Sequence, residues 1–145
     1  AIEFLAAMSS ARFRPDVIAF NSTVSACATS GKWQAAVALF AEMLNARLQP
    51  TVVSCSAMIS ACEKGSEWQH AVAVFNCIKR HRLHPDTISC TAAISACANS
   101  AQWRNSLHLF GLAQSSLGLR VDTIMRNSVI SGCDRGHEWQ RALVL

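Results

Sequence analysis

Residues 52–86, VVSCSAMISACEKGSEWQHAVAVFNCIKRHRLHPD, are the unit from which the rest of the chain is copied. Moving along the sequence in steps of 35 lays Trp33 on Trp68 and then on Trp103, and one step of 36 reaches Trp139. Cys27, Cys62, Cys97 and Cys133 recur with the same spacing, as do Phe40, Phe75 and Phe110, and Pro15, Pro50 and Pro85. A period of this length marks a solenoid, in which one unit cannot bury its own apolar face and must stack on a neighbour.

Within a unit the apolar spacing is that of two helices. Phe20, Val24 and Cys27 follow at steps of four and three, and Trp33, Ala36, Val37, Phe40 and Met43 do so again after a break. The break falls at 29–32 and is matched at 64–67, 99–102 and 135–138, where Gly31, Gly65 and Gly136 are expected to supply the permissive backbone of a tight turn. The chain is thus all-α, with whole hairpins at 17–51, 52–86 and 87–122 and partial ones at 1–16 and 123–145.

The proline that ends a unit stops its second helix, and the aspartate after it can cap the next first helix. The third unit departs from this pattern. One extra residue falls between Phe110 and Asp122, and Val121 replaces the proline, which predicts a looser or longer end to its second helix.

The tryptophans share one phase of the repeat and lie inside the apolar stripe of the second helix, so they are expected to pack into the core where that helix meets the first. The opening AIEFLAAM matches ALFAEM around Met43, and Leu145 stops in mid-pattern. The chain therefore reads as a piece of a longer array, expected to be marginally stable or to self-associate through exposed apolar ends.

Composition narrows the function. Apolar residues make up 51% of the chain and charged ones only 15%, which excludes a disordered segment. A net charge of +4 tolerates a polyanionic partner without demanding one. No apolar run approaches the roughly 18 residues of a membrane span, and no targeting signal is visible.

The seven cysteines contain no C-x-x-C pair. Cys55 and Cys62, like Cys90 and Cys97, stand about 10.5 Å apart along a helix. That is too far for a disulfide or for two ligands of one zinc. Buried, reduced thiols acting as small hydrophobes are expected, with no metal and no cofactor. There is no H-E-x-x-H, no Gly-rich phosphate loop and no zinc-deaminase signature, so the sequence does not read as an enzyme.

Met58-Ile59, Cys62, Lys64-Gly65, Ala71, Val74-Phe75 and Pro85-Asp86, in register over the whole chain, resemble the pentatricopeptide repeat pattern of single-stranded RNA-binding proteins. The tetratricopeptide repeat, with its 34-residue period and Trp-Leu-Gly-Tyr start, does not match. The resemblance implies a right-handed α-solenoid that reads one nucleotide per unit of about 35 residues. It further implies a role in RNA processing, in a mitochondrion or chloroplast.

Carried over place by place, bases would be sandwiched by the second residue of each unit: Ile18, Val53, Ile88 and Ile124. They would be read by the fifth residue with the last, namely Asn21 with Thr51, Ser56 with Asp86, and Thr91 with Asp122, while Asn127 stands without its partner. A small hydroxyl residue paired with aspartate favours guanine, and an asparagine leans toward pyrimidines, so the implied core target is pyrimidine-G-G. Basic residues late in the first helix, Lys64 and Arg135, would lie along the phosphates; Thr29 and Asn99 occupy the same place in the other units.

The plainer reading of Asp86 and Asp122 is helix capping, and one side chain can do both. Lys79, Arg80, His81 and Arg82 end a second helix and are read as a solvated face, and His81 and His84 as surface residues. The alternative function is a helical scaffold that holds a protein or peptide on its concave face.

Overall fold

A computed structural model describes residues 17–143. Among these residues all regular structure is helical: α1 (Val17–Thr29), α2 (Trp33–Asn45), α3 (Val52–Lys64), α4 (Trp68–Arg80), α5 (Thr87–Asn99), α6 (Trp103–Ser115), α7 (Thr123–Arg135) and α8 (Trp139–Ala142). The expected partial unit at 1–16 lies outside the described residues. No described helix is long and apolar enough to cross a membrane.

The elements form an α-solenoid. The first helices α1, α3, α5 and α7 stack one on the next, and each second helix packs on its own first helix and on the one that follows. Between the two layers runs a continuous apolar core, in which Met58, Ile59, Phe75, Ile78, Ile94, Met125 and Val129 are fully buried. The cysteine column belongs to it: Cys62, Cys97 and Cys133 show no exposed surface, and all seven cysteines are free thiols. Burial pushes the Cys55 and Cys62 thiols up to about 12, and those of Cys90 and Cys97 to about 11. Small residues set how closely the first helices approach. A Cβ on Gly132 of α7 would lie 3.1 Å from the Ala98 backbone of α5.

The turn inside each hairpin is closed through the cysteine column. The backbone carbonyls of Cys27, Cys62, Cys97 and Cys133 accept from the N–H groups of Lys32, Glu67, Gln102 and Glu138 at 2.8–3.0 Å, the long bond of a Schellman closure. That closure needs one left-handed residue, and it falls on Gly31, Ser66, Ala101 and His137, with φ between 56° and 67°. Gly65 and Gly136 are right-handed, at φ −81° and −84°. The expectation that these two glycines provide turn flexibility is therefore corrected. They are glycines because a Cβ on Gly65 would overlap the Trp33 ring of the preceding hairpin, and one on Gly136 the Trp103 ring.

The tryptophans fill the core position expected of them only in part: Trp68 and Trp103 pack against the core from its edge. Each opens a second helix at the seam between hairpins, where Trp33, Trp68 and Trp103 are half-buried and Trp139 is 60% exposed. Trp33 also faces His70 at 5.9 Å between ring centroids, and Trp103 lies under the guanidinium groups of Arg104 and Arg141 at 4.8 and 5.0 Å.

The extra residue of the third unit does not lengthen its second helix, since α6 has 13 residues like α2 and α4. It enters the following turn instead. There the left-handed place moves from Arg47 and Arg82, directly after the helix cap, to Gly118 one residue later. Asp122 still caps α7 as Thr51 and Asp86 cap α3 and α5.

Candidate nucleic-acid interface

The first turn of each first helix carries a large apolar side chain that nothing covers. Ile18, Val53, Ile88 and Ile124 are 73%, 65%, 66% and 65% exposed, at the same register of α1, α3, α5 and α7. An isolated exposed aliphatic residue needs no explanation, but four in one column on stacked helices form a periodic apolar stripe. The cause is local: each sits on the face opposite the buried residues of its turn, and at α3, α5 and α7 the cap before it fixes where the helix begins.

The last residue of each unit is that cap. Thr51 Oγ1 accepts from the Ser54 N–H at 3.2 Å, Asp86 Oδ1 from the Ser89 N–H at 2.8 Å, and Asp122 Oδ1 from the Met125 N–H at 2.8 Å. Ser54 and Ser89 return the bond to the cap's own N–H, completing capping boxes. Capping is thus present at all three places, and it uses only part of a carboxylate's roughly four acceptor sites.

The fifth-place residues lie one turn further on. Asn21, Ser56 and Thr91 are half-buried and Asn127 is exposed. Ser56 Oγ lies 2.8 Å from the Val52 carbonyl oxygen of its own helix and 3.4 Å from Asp86 Oδ1, so this pair comes together between α3 and the cap of α5. Thr91 Oγ1 donates to the Thr87 carbonyl at 2.7 Å and shares a groove of about 330 Å³ with Ile88, Asp122 and Ile124. The amide oxygen of Asn21 is buried without a partner, and no hydrogen bond among the described residues joins Asn21 to Thr51. Asn127 lines two further hollows, one with Ser95 and Asn99, the other with Trp139 and Leu143.

Lys64 and Arg135 end α3 and α7, exposed. They are not equivalent, because Arg135 Nη1 donates to Asn99 Oδ1 at 2.9 Å and Lys64 has no such tether among the described residues. Places five and thirteen stand about 12 Å apart along a helix of 1.5 Å rise. Lys79 of the basic cluster lies 5.7 Å above the Phe75 ring of its own helix, away from this face. No group of three metal-ligating side chains occurs among the described residues.

Sequence reasoning missed Ser60, Glu63 and Ser95, which line the same groove as Thr91 and Asp122. The signal was available. Val53, Ser56, Ser60 and Glu63 follow at steps of three, four and three, which places them on one helix face.

A family model described as PPR repeat family matches residues 15–64, and one described as PPR repeat matches residues 53–83. Among solved structures the chain is similar to the pentatricopeptide repeat protein PPR10 from maize, with a TM-score of 0.80 at 18% identity over 94% of this chain and 20% of that one. PPR10 in complex with an 18-nt psaJ RNA element gives a TM-score of 0.74 at 18% identity, over 95% of this chain and 20% of that one. The PPR domain of Arabidopsis thaliana protein-only RNase P 1 in complex with tRNA gives 0.83 at 7% identity, over 99% of this chain and 77% of that one. The chain thus spans about a fifth of the length of PPR10. No curated protein matches the sequence.

Proposed function

Because the chain belongs to the pentatricopeptide repeat family, we propose that it binds single-stranded RNA in a sequence-selective way, one nucleotide per hairpin, as part of an RNA-processing factor. The observation that carries this reading is the column of exposed Ile18, Val53, Ile88 and Ile124 on stacked first helices. Branched apolar side chains at a fixed spacing suit unpaired bases, which can slot between them while small polar neighbours meet the base edges.

The base readers are Asn21 with Thr51, Ser56 with Asp86, and Thr91 with Asp122, followed by Asn127; Lys64 and Arg135 meet phosphates. The target of the three complete units is pyrimidine-G-G. The contact of Ser56 with Asp86 supports the first guanine-reading pair as a unit, and the shared groove of Thr91 and Asp122 supports the second. The chain itself contributes binding and no catalytic step. RNA-bound PPR10 and the tRNA-bound domain of protein-only RNase P 1 show the same architecture, which lends support to this partner class.

Stacking on aromatic rings contributes roughly 1–3 kcal/mol per base, so three bases between these aliphatic side chains give at most about 3–9 kcal/mol and dissociation constants no tighter than the micromolar range. Fluorescence anisotropy with a labelled RNA carrying UGG, against one carrying UAA, tests the reading. UGG should bind more tightly, and affinity should fall log-linearly with salt, at a slope of about 0.7 per phosphate neutralised. Equal binding of the two RNAs overturns base reading, and affinity insensitive to salt overturns the polyanionic partner.

A further inference from the structure

The face that carries Val53 and Ser56 continues along α3 to Ser60 and Glu63, and Glu63 lines the groove that holds Thr91, Asp122 and Ile124. A carboxylate is an unexpected group on a surface meant for a polyanion. Ser95 of the next hairpin lines the same groove, and its hydroxyl is 2.9 Å from Ser128 of the hairpin after that. A carboxylate in this groove offers roughly four acceptor sites. Burial pushes its carboxyl up, against the opposing effect of Ser95 and Lys64.

The order of groups along the first helices matches the order of parts in a nucleotide. Base-edge readers stand at the fifth place and the basic residue at the thirteenth, about 12 Å further on. Glu63, at the twelfth place with a side chain leaning back toward its helix N-terminus, falls between them. A carboxylate repels a phosphate, and the base edge is already met by Thr91 and Asp122. The donor left in that interval is the sugar hydroxyl.

Resting on the base-reading arrangement proposed above, we infer that Glu63 is a sugar-reading residue. Its carboxylate accepts the 2′-hydroxyl of the ribose whose base lies between Ile88 and Ile124, and this confers a preference for RNA over DNA. A ligand lacking that hydroxyl leaves a desolvated carboxylate facing a hydrogen atom, a loss of about tenfold or more for a charge-assisted bond.

The test is anisotropy titration of the 145-residue chain with UGG RNA and with three copies that each carry a single 2′-deoxy nucleotide. Wild type should lose about tenfold in affinity when the third nucleotide is deoxy and little when the first or second is. Glu63→Ala should abolish that difference while still preferring UGG to UAA, which shows its groove intact. Glu63→Gln should keep part of the difference, since its amide oxygen still accepts.

If wild type distinguishes UGG from UAA but ignores every deoxy substitution, the sugar reading falls and base reading stands. If it ignores both, both fall. If the effect sits at another nucleotide, or if Glu63→Ala loses base preference as well, Glu63 supports the groove and is not a reader of sugar.

Discussion

Ser106 stands where Ala36 and Ala71 stand in the other hairpins, and its hydroxyl is buried without a hydrogen-bond partner. Such a group costs about 1–3 kcal/mol. Ser106→Ala should therefore stabilise the chain by about 1 kcal/mol, read as a higher urea midpoint at unchanged slope. Gly65 presents the opposite case. Its backbone is right-handed, so alanine there gains helix propensity, yet the new Cβ would strike the Trp33 ring. Gly65→Ala should lower the urea midpoint, and adding Trp33→Ala should make the alanine at 65 harmless. At Gly31 nothing lies within 4 Å and φ is +67°, so Gly31→Ala should cost about 1 kcal/mol whatever residue 33 is. The sequence alone could not separate these glycines, because in a turn both read as backbone freedom. The ring that explains Gly65 comes from another hairpin.

The first helices α3, α5 and α7 begin where their caps place them, and the caps are the same side chains proposed to read bases. Asp86→Ala should cost about 1 kcal/mol of stability, seen in thermal melts, and also remove guanine preference at the second nucleotide. Asp86→Asn keeps the cap, so an altered preference at unchanged melting temperature isolates base reading from capping. The cap was legible in the sequence, since an aspartate before an apolar helical run signals one whatever else it does. The fate of the extra residue was not. Its bracket, Phe110 to Asp122, was readable, but whether a helix or a turn absorbs it depends on which closure is cheaper, and Gly118 provides a left-handed residue without strain.

The buried thiols tie the core to pH. A thiol raised from 9.0 to about 11 or 12 stays neutral in the fold while the unfolded chain ionises. Stability is then full below pH 9 and is lost as pH rises toward those values. The urea midpoint should hold from pH 6 to 8 and fall at pH 10, less steeply in Cys62→Ala.

Stacked first helices turn a local register into a molecular one, because the same place in every hairpin arrives on the same face. The all-α solenoid was legible for this reason: Cys, Trp, Phe and Pro all keep one period of about 35 residues, and the apolar spacing inside each unit is that of two helices. Less legible was the groove between hairpins, since the meeting of Glu63 with Ser95 depends on how far one helix sits from the next. The central claim is that the fifth-place side chain selects one nucleotide. Ser56→Asn tests it most directly, by anisotropy against RNAs that vary only the second nucleotide of UGG. The account predicts that preference there moves from guanine to a pyrimidine while the first and third positions are unchanged; a uniform loss of affinity, or a shift at any other position, contradicts it.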